Sequence, residues 1–573
     1  MQLTASQHKA IAIFLFLALT VFLRLGSGEI QPWDEGLNAM RARAVLENHS
    51  LAEQKGINNE KLNSVDYAPL TVYTIAGSMK VFGKTLFAVR FFTALCSALA
   101  LFFFYLISRR LLSYNGSIIA MFLLSGSMAW NTYARLGMSE IQTAAFLLGA
   151  LFFTLKVMES VENKKLILHS LGFGISFTAA LLTKQFVILL PIIFFTFIIF
   201  EKEKRKQNLY MAIALASSLA IVILCNLYLA SKSGYSFLSA FIPSEFNSPD
   251  TDNTYLSGMF YYFGQLILSN PFCIFTFFYI IFYIFKRKIL MSRINKHGNY
   301  LHNVLITWFV LTFIILTAFY PGIPQSSVYM LPPALLLAMK FLGEIDLIVK
   351  NNRLIWLLFS ILVVLFLWTY IYALRVDLME IILRGMPSTA VIIFISIAAL
   401  LLMATILIPK KYLDKLSNEA LSKAVIIIPY LLILKIIFLN LTIPTGESFG
   451  AVKTSEFLKA FPKNEFIYLH HGNNKLDGLN PQLDWYTDGW LSGWLPGKSF
   501  LPVRLKGNDT DFNILRELDD YPGLFIVYYL TSDKTISDIV IKNISETRTI
   551  VKKNFNYIIF GRKKVERIKD STV

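Results

Sequence analysis

The chain is 573 residues long, 55% apolar and 14% aromatic, with a mean hydropathy of +0.55. Only 16% of its residues are charged, against about 25% in soluble globular domains, which excludes an ordinary soluble protein and points to a polytopic membrane protein. The net charge of +17, from 54 basic and 37 acidic residues, comes from short clusters between apolar runs, the pattern of the positive-inside rule and not of a nucleic-acid surface.

A helix needs about 20 apolar residues to cross a bilayer, and thirteen stretches read as spans: 10–28, 87–108, 116–131, 140–157, 166–183, 185–200, 209–230, 262–285, 301–320, 326–342, 353–374, 388–408 and 423–442. The first follows only His8 and Lys9 and has no A-x-A site after it, so it reads as an uncleaved span. The third and tenth are short enough to tilt or re-enter. Arg109-Arg110, Lys164-Lys165, Lys202–Lys206, Lys286-Arg287-Lys288 and Lys410-Lys411 fall in every second gap. Those gaps are then cytoplasmic, as is the N-terminus, and the 29–86 loop and the tail are external. The expected location is the inner (plasma) membrane, with a periplasmic or extracellular C-terminal domain.

Within the first external loop, residues 34–47 carry helical spacing (Leu37, Met40, Ala44), and Pro32 suits a helix start. Leu70 to Phe82 is apolar but too short to span, so it is expected to lie flat on the interface. No 20–50-residue repeat stands out. Past Ile443 the composition turns polar, with strand-like runs at FIYLHH, LFIVYYL and NYIIFG and helix-like runs at SEFLKAF, DFNILREL and SDIVIKNI. The expected fold is mainly α: a membrane helical bundle over 1–443 and a small external α/β domain over 444–573.

Asp34 and Glu35 follow Pro32-Trp33 at a helix start. The helix dipole keeps such a carboxylate ionised, which suits a general base and equally a solvated cap. Asp66, before Tyr67-Ala68-Pro69-Leu70, carries the same two readings. Arg135 and Glu140 flank a turn between two spans and read either as a phosphate-binding pair or as snorkelling charges. Lys184, between two apolar runs, needs a partner, a lipid phosphate or an ordinary headgroup. Tyr329 starts a span kinked by Pro332-Pro333, where interfacial tyrosines are common, and Arg90 marks the start of the second span.

Cys96, Cys225 and Cys273 all lie in apolar runs and read as small buried hydrophobes. His470-His471 has no companion at metal-ligand spacing. No nucleotide-binding or hydrolase motif is present in the sequence. No cofactor is indicated; a divalent metal is compatible with the chain, but nothing points to one.

The order of these features resembles the GT-C glycosyltransferases. A first span is followed by W-D-E at a helix start, then an acidic residue before A-P-L, then VFGKTLFAVRFFTAL opening the second span. The resemblance is strongest to glycosyltransferase family 39, the protein O-mannosyltransferases and the aminoarabinose transferase of lipid A. It covers the first 200 residues and the thirteen-span arrangement. It implies an inverting transfer from a polyprenyl-phosphate sugar to a lipid, glycan or protein acceptor, among membrane lipids. Asp34 matches the family's catalytic aspartate, Glu35 the acid beside it, and Asp66 the acid before the proline motif. Arg135, Lys184, Tyr67 and Tyr329 are the implied donor-phosphate contacts, with Glu140 and Arg90 supporting.

This chain departs from the family in three places. Tyr67 stands where relatives often have Lys or His, Glu140 replaces a commoner Asp, and PQSSVYMLPP lacks the lysine that some relatives place before Tyr-x-Leu-Pro. A transporter or flippase is the alternative from another class, and a silent scaffold a third. Transporters usually keep ionisable groups near mid-membrane and show internal repeats, whereas these charges gather at the expected outer surface.

Overall fold

The computed structural model describes residues 4–31, 34–48, 69–184, 204–233, 255–291, 296–319, 324–344, 427–441 and 450–460, with short stretches between 466 and 562. In chain order the helices are α1 (Ala5–Thr20), α2 (Asp34–Asn48), α3 (Pro69–Phe82), α4 (Leu86–Leu111), α5 (Tyr114–Ser125), α6 (Met128–Ala134), α7 (Ser139–Glu159) and α8 (Asn163–Thr183). They continue with α9 (Arg205–Ser233), α10 (Tyr255–Ser269), α11 (Ile274–Met291), α12 (Lys296–Phe319), α13 (Leu331–Gly343), α14 (Ile427–Leu441) and α15 (Ala451–Lys459). Two compact units emerge: Met1–Leu25, Val65–Thr71 and Phe91–Ile443 form the first, and Gly26–Ser64, Val72–Arg90 and Pro444–Val573 the second.

The first unit is a bundle of apolar helices. Among the described residues six helices are long and apolar enough to cross a membrane, and four more are apolar but shorter. α1 is started by a capping box, in which Thr4 accepts the Gln7 N–H and the Gln7 side chain accepts the Thr4 N–H. α7 packs on α8, and α8 on α9. Leu168, Ile175, Leu209, Ile213 and Leu224 turn outward on α8 and α9, an apolar surface that water would not tolerate and lipid does.

Two expected spans are broken. The stretch 116–131 divides at Gly126-Ser127 into α5 and the short α6. A Cβ at Gly126 would lie 2.8 Å from the Phe122 carbonyl oxygen and 2.9 Å from Leu432 Cβ, so the turn has room only for glycine. The stretch 262–285 divides at Asn270-Pro271: Asn270 is extended (φ −153°, ψ 115°) ahead of a 3-10 turn, Pro271–Cys273. A residue before proline is driven out of the α region, and proline has no N–H to continue the ladder. Asn270 compensates for the break. Its Nδ2 donates to the Leu123 carbonyl and to Ser127 Oγ, both at 2.9 Å, and its side-chain oxygen accepts the Phe272 N–H. The two breaks are thereby joined to each other. The expected spans 185–200, 353–374 and 388–408 lie outside the described residues.

In the second unit, α2 and α3 occupy nearly the ranges read from the sequence. Ile30, Ala39, Ala42, Val45, Val72, Ile75, Met79 and Val89 form a core, with Trp485 and Tyr486 packed on it. Among the described residues the tail holds a five-stranded sheet in the order β2-β1-β3-β5-β4, made of β1 (Phe466–His470), β2 (Val503–Arg504), β3 (Phe525–Tyr529), β4 (Arg548–Asn554) and β5 (Tyr557–Arg562). β1 pairs in parallel with β2 and β3, whereas β5 is antiparallel to both β3 and β4, with a register shift between Ile550 and Lys552. β2 and β4 were not expected from the sequence, because VR is too short to show alternation and RTIVKKN is largely polar. The expected helix DFNILREL lies outside the described residues.

Candidate active site

Asp34 and Glu35 open α2, the two acids of its first turn. Asp34 is partly exposed, while Glu35 is fully buried. Across from Glu35 stands Arg90, near the start of α4 and equally buried. Its Nε donates to Glu35 Oε1 at 2.7 Å and its Nη2 to Oε2 at 3.0 Å. Glu35 Oε2 also accepts the Gln31 N–H at 2.7 Å. Arg90 spends its remaining donors on the backbone just upstream, with Nη1 to the Ser27 carbonyl and Nη2 to the Glu29 carbonyl, each at 2.8 Å. A guanidinium is suited to this, since its planar fork presents five donors in fixed directions. Residues 27–31 are thus fastened to Glu35 through one buried ion pair, and Asp34 directly precedes Glu35 at the start of α2.

Further along α2, Glu47 accepts from Arg43, one turn back, and from Lys84. Burial by itself raises the Glu47 pKa, but the hydrogen bonds and charges of Lys84 and Arg43 outweigh it and hold this carboxyl below its ordinary value. Tyr486 hydrogen-bonds to this segment from the tail, its hydroxyl accepting the Ile30 N–H at 2.9 Å. Burial raises the Tyr486 pKa, against the lowering effect of that N–H.

The first unit gathers a second set of charges. Arg135 caps the end of α6 and is buried. α6 itself is held by a reciprocal amide pair between Asn131 and Asn440, both contacts at 3.0 Å, and by Trp130 Nε1 donating to Ser97 Oγ. Glu140 lies in the first turn of α7, fully buried, and Lys184 ends α8. Lys184 Nζ donates to Glu140 Oε1 at 2.8 Å with its side chain 30% exposed. Glu140 Oε2 is buried and has no hydrogen-bond partner among the described residues. Gln142, two residues after Glu140, donates to Thr93 Oγ1, whose own hydroxyl donates to the Met138 carbonyl, so the start of α7 is tied to α4. Tyr329 is buried in a 3-10 helix, Pro324–Met330, that packs on both α6 and α7.

Glu35 and Arg90 therefore meet in one unit, and Glu140 and Lys184 meet in the other. Asp66 and Tyr67 lie outside the described residues. Nothing in the sequence marked Glu35 as Arg90's partner, because they are 55 positions apart. An open apolar cavity of about 550 Å³ runs between α8 and α9, lined by Ile167, Leu171, Ile175, Leu182, Ile213 and Ile221. Its lining reaches Leu182, two residues before Lys184. Among the described residues no group of three or more His, Cys, Asp or Glu is gathered closely enough to hold a metal ion.

Residues 66–228 match the family described as dolichyl-phosphate-mannose-protein mannosyltransferase. The crystal structure of ArnT from Cupriavidus metallidurans bound to undecaprenyl phosphate is similar over 97% of this chain and 98% of that one, at 14% identity and a TM-score of 0.63. This is a GT-C fold. The same GT-C arrangement relates the chain to the oligosaccharyltransferase AglB from Archaeoglobus fulgidus, solved with an inhibitory peptide and a dolichol-phosphate. That match covers 91% of this chain and 69% of that one, at 12% identity and a TM-score of 0.51. No curated protein matches the sequence. The chain, with six long apolar helices among its described residues, is a multi-pass membrane protein, and the family match is confined to the stretch 66–228. That stretch contains Arg90, Arg135, Glu140 and Lys184 but begins after Asp34 and Glu35.

Proposed function

We propose that this protein is an inverting glycosyltransferase that moves a sugar from a polyprenyl-phosphate donor to an acceptor on the external face of the membrane. The observation that carries the reading is the buried Glu35–Arg90 pair, which fixes Asp34 at the start of α2. In this reading Asp34 is the catalytic base. Its carboxylate takes the proton of the acceptor hydroxyl or amine as the acceptor attacks the anomeric carbon, and the bond from that carbon to the phosphate oxygen breaks. The polyprenyl phosphate leaves as a dianion, a charge that cationic side chains stabilise.

Glu35 takes a different role from Asp34. Both of its oxygens are engaged by Arg90, so it acts as a positioning residue and not as a second base. Lys184 and Arg135 are the phosphate contacts carried over from the family resemblance, with Tyr329 and Tyr67 completing the set, and Asp66 is the second acid carried over beside Asp34. The apolar cavity between α8 and α9 supports a prenyl ligand, since it is open and almost free of polar lining. ArnT, with its bound undecaprenyl phosphate, supports the same class of donor.

Mass spectrometry of lipid-linked sugars and envelope glycans, with and without the protein, tests this directly. One polyprenyl-phosphate sugar should accumulate in its absence, alongside loss of one glycan modification. Unchanged profiles of both would sink the transferase reading and return the transporter alternative to the front.

A further inference from the structure

We infer that Glu29 and Tyr486 are positioning residues for the Asp34 reaction, through which the C-terminal part of the chain sets the geometry of residues 27–31. The inference rests on the reading of Asp34 as the base.

Residues 27–31 belong to no helix or strand, and they lead directly to the W-D-E segment. Such a stretch holds a fixed path only if other groups satisfy its backbone. Arg90 does this from one side, by binding the Ser27 and Glu29 carbonyls. The tail adds further contacts. The Glu29 carboxylate is only 5% exposed. Its Oε2 accepts the Ala451 N–H and its Oε1 the Val452 N–H, each at 3.2 Å. These are the first two N–H groups of α15, which have no acceptor within their own helix. A carboxylate there also faces the positive end of the helix dipole.

The N-terminus of α15 is itself anchored. Gly450, just before it, takes the left-handed conformation (φ 85°), and a Cβ there would lie 2.4 Å from the Asn554 carbonyl oxygen at the end of β4. Asn554 Nδ2 also donates to Thr454 Oγ1 at 3.1 Å. A line of contacts therefore runs from β4 through the start of α15 to Glu29. Independently, Tyr486 accepts the Ile30 N–H while its ring packs on the core that contains Ile30. Glu29 and Ile30 are adjacent, so two separate tail segments grip the same point of the chain, a few residues before Asp34.

Tyr486→Phe removes one oxygen and keeps the ring; Glu29→Gln keeps the size but turns an amide toward N–H donors. Each full-length variant should lower kcat about tenfold with KM for the lipid donor nearly unchanged, as expected when a reacting group is misplaced by a fraction of an ångström. Glu29→Asp, which keeps the charge, should recover part of the loss. Amide hydrogen exchange supplies a readout that needs no substrate: in Tyr486→Phe the Ile30 and Gln31 amides should exchange about tenfold faster.

Unchanged exchange in Tyr486→Phe, or faster exchange with unchanged kcat, overturns the inference. If the wild-type protein transfers no sugar and Asp34→Asn is indistinguishable from it, the functional reading itself has failed, while the exchange data still report whether the tail holds the segment.

Discussion

Arg90 and Glu35, 55 positions apart, lie side by side with neither side chain exposed, joined by hydrogen bonds of 2.7 and 3.0 Å. An ion pair this deep is held by mutual satisfaction. Each charge is tolerable in the interior only while the other is present.

Removing one partner should therefore be severe. Glu35→Gln or Arg90→Met alone should destabilise the second unit by roughly 3–5 kcal/mol. The double variant should be more stable than the two single losses added together, with a coupling of at least ~2 kcal/mol. Thermal or denaturant unfolding of detergent-purified variants measures this. Additive losses would mean that the pair does not act as a unit.

Asp34→Asn should leave unfolding unchanged within about 0.5 kcal/mol, since Asp34 is partly exposed, the helix keeps an N-terminal acceptor and Glu35 remains paired. Sugar transfer should nevertheless fall by roughly 10²–10⁴, the usual contribution of a general base. Single-turnover assays with the lipid donor check the rate. Transfer near the wild-type rate removes Asp34 from the base role.

Lys184→Ala should act on donor binding and on folding at once. It leaves the Glu140 carboxylate buried without its 2.8 Å partner, at a cost of about 1–3 kcal/mol, and it should raise KM for the lipid donor more than it alters acceptor preference. The double variant Lys184→Ala/Glu140→Gln removes the buried charge and should recover folding, while KM stays high. If KM recovers along with stability, Lys184 serves the fold and not the phosphate.

Glu47 gives a pH dependence of known sign. Its carboxyl lies below the ordinary value in the folded chain. The stability it contributes is complete above the unfolded carboxylate pKa of roughly 4.3 and is lost as pH falls through the lower, folded value. Glu47 is well exposed to solvent, so the contribution should be under about 1 kcal/mol. Melting temperatures of wild-type and Glu47→Gln protein should differ slightly at pH 7 and converge in acid. Parallel curves down to pH 3 would show that the Lys84 and Arg43 contacts contribute nothing.

Much of the helical framework could be read directly from the chain. Long apolar runs with charged ends mark α4, α7, α8, α9 and α12, because hydrocarbon admits only segments that satisfy their own backbone. α2 and α3 follow from local spacing and from the proline near each start. Asp34 drew notice by its neighbours alone, Trp33 before it and a helix after it.

What local pattern leaves undetermined is how distant residues satisfy one another. The splitting of two spans at Gly126 and Asn270 depends on one amide bridging both breaks. β4 exists because β5 pairs with it, although its own sequence is mostly polar. Periodicity cannot tell a catalytic acid from a structural one when the two are adjacent. Glu35 becomes a fastening only when Arg90 is brought to it, and Glu29 a helix cap only when α15 folds against it. Those assignments belong to the tertiary structure, because a buried charge takes its meaning from the partner that makes its burial affordable.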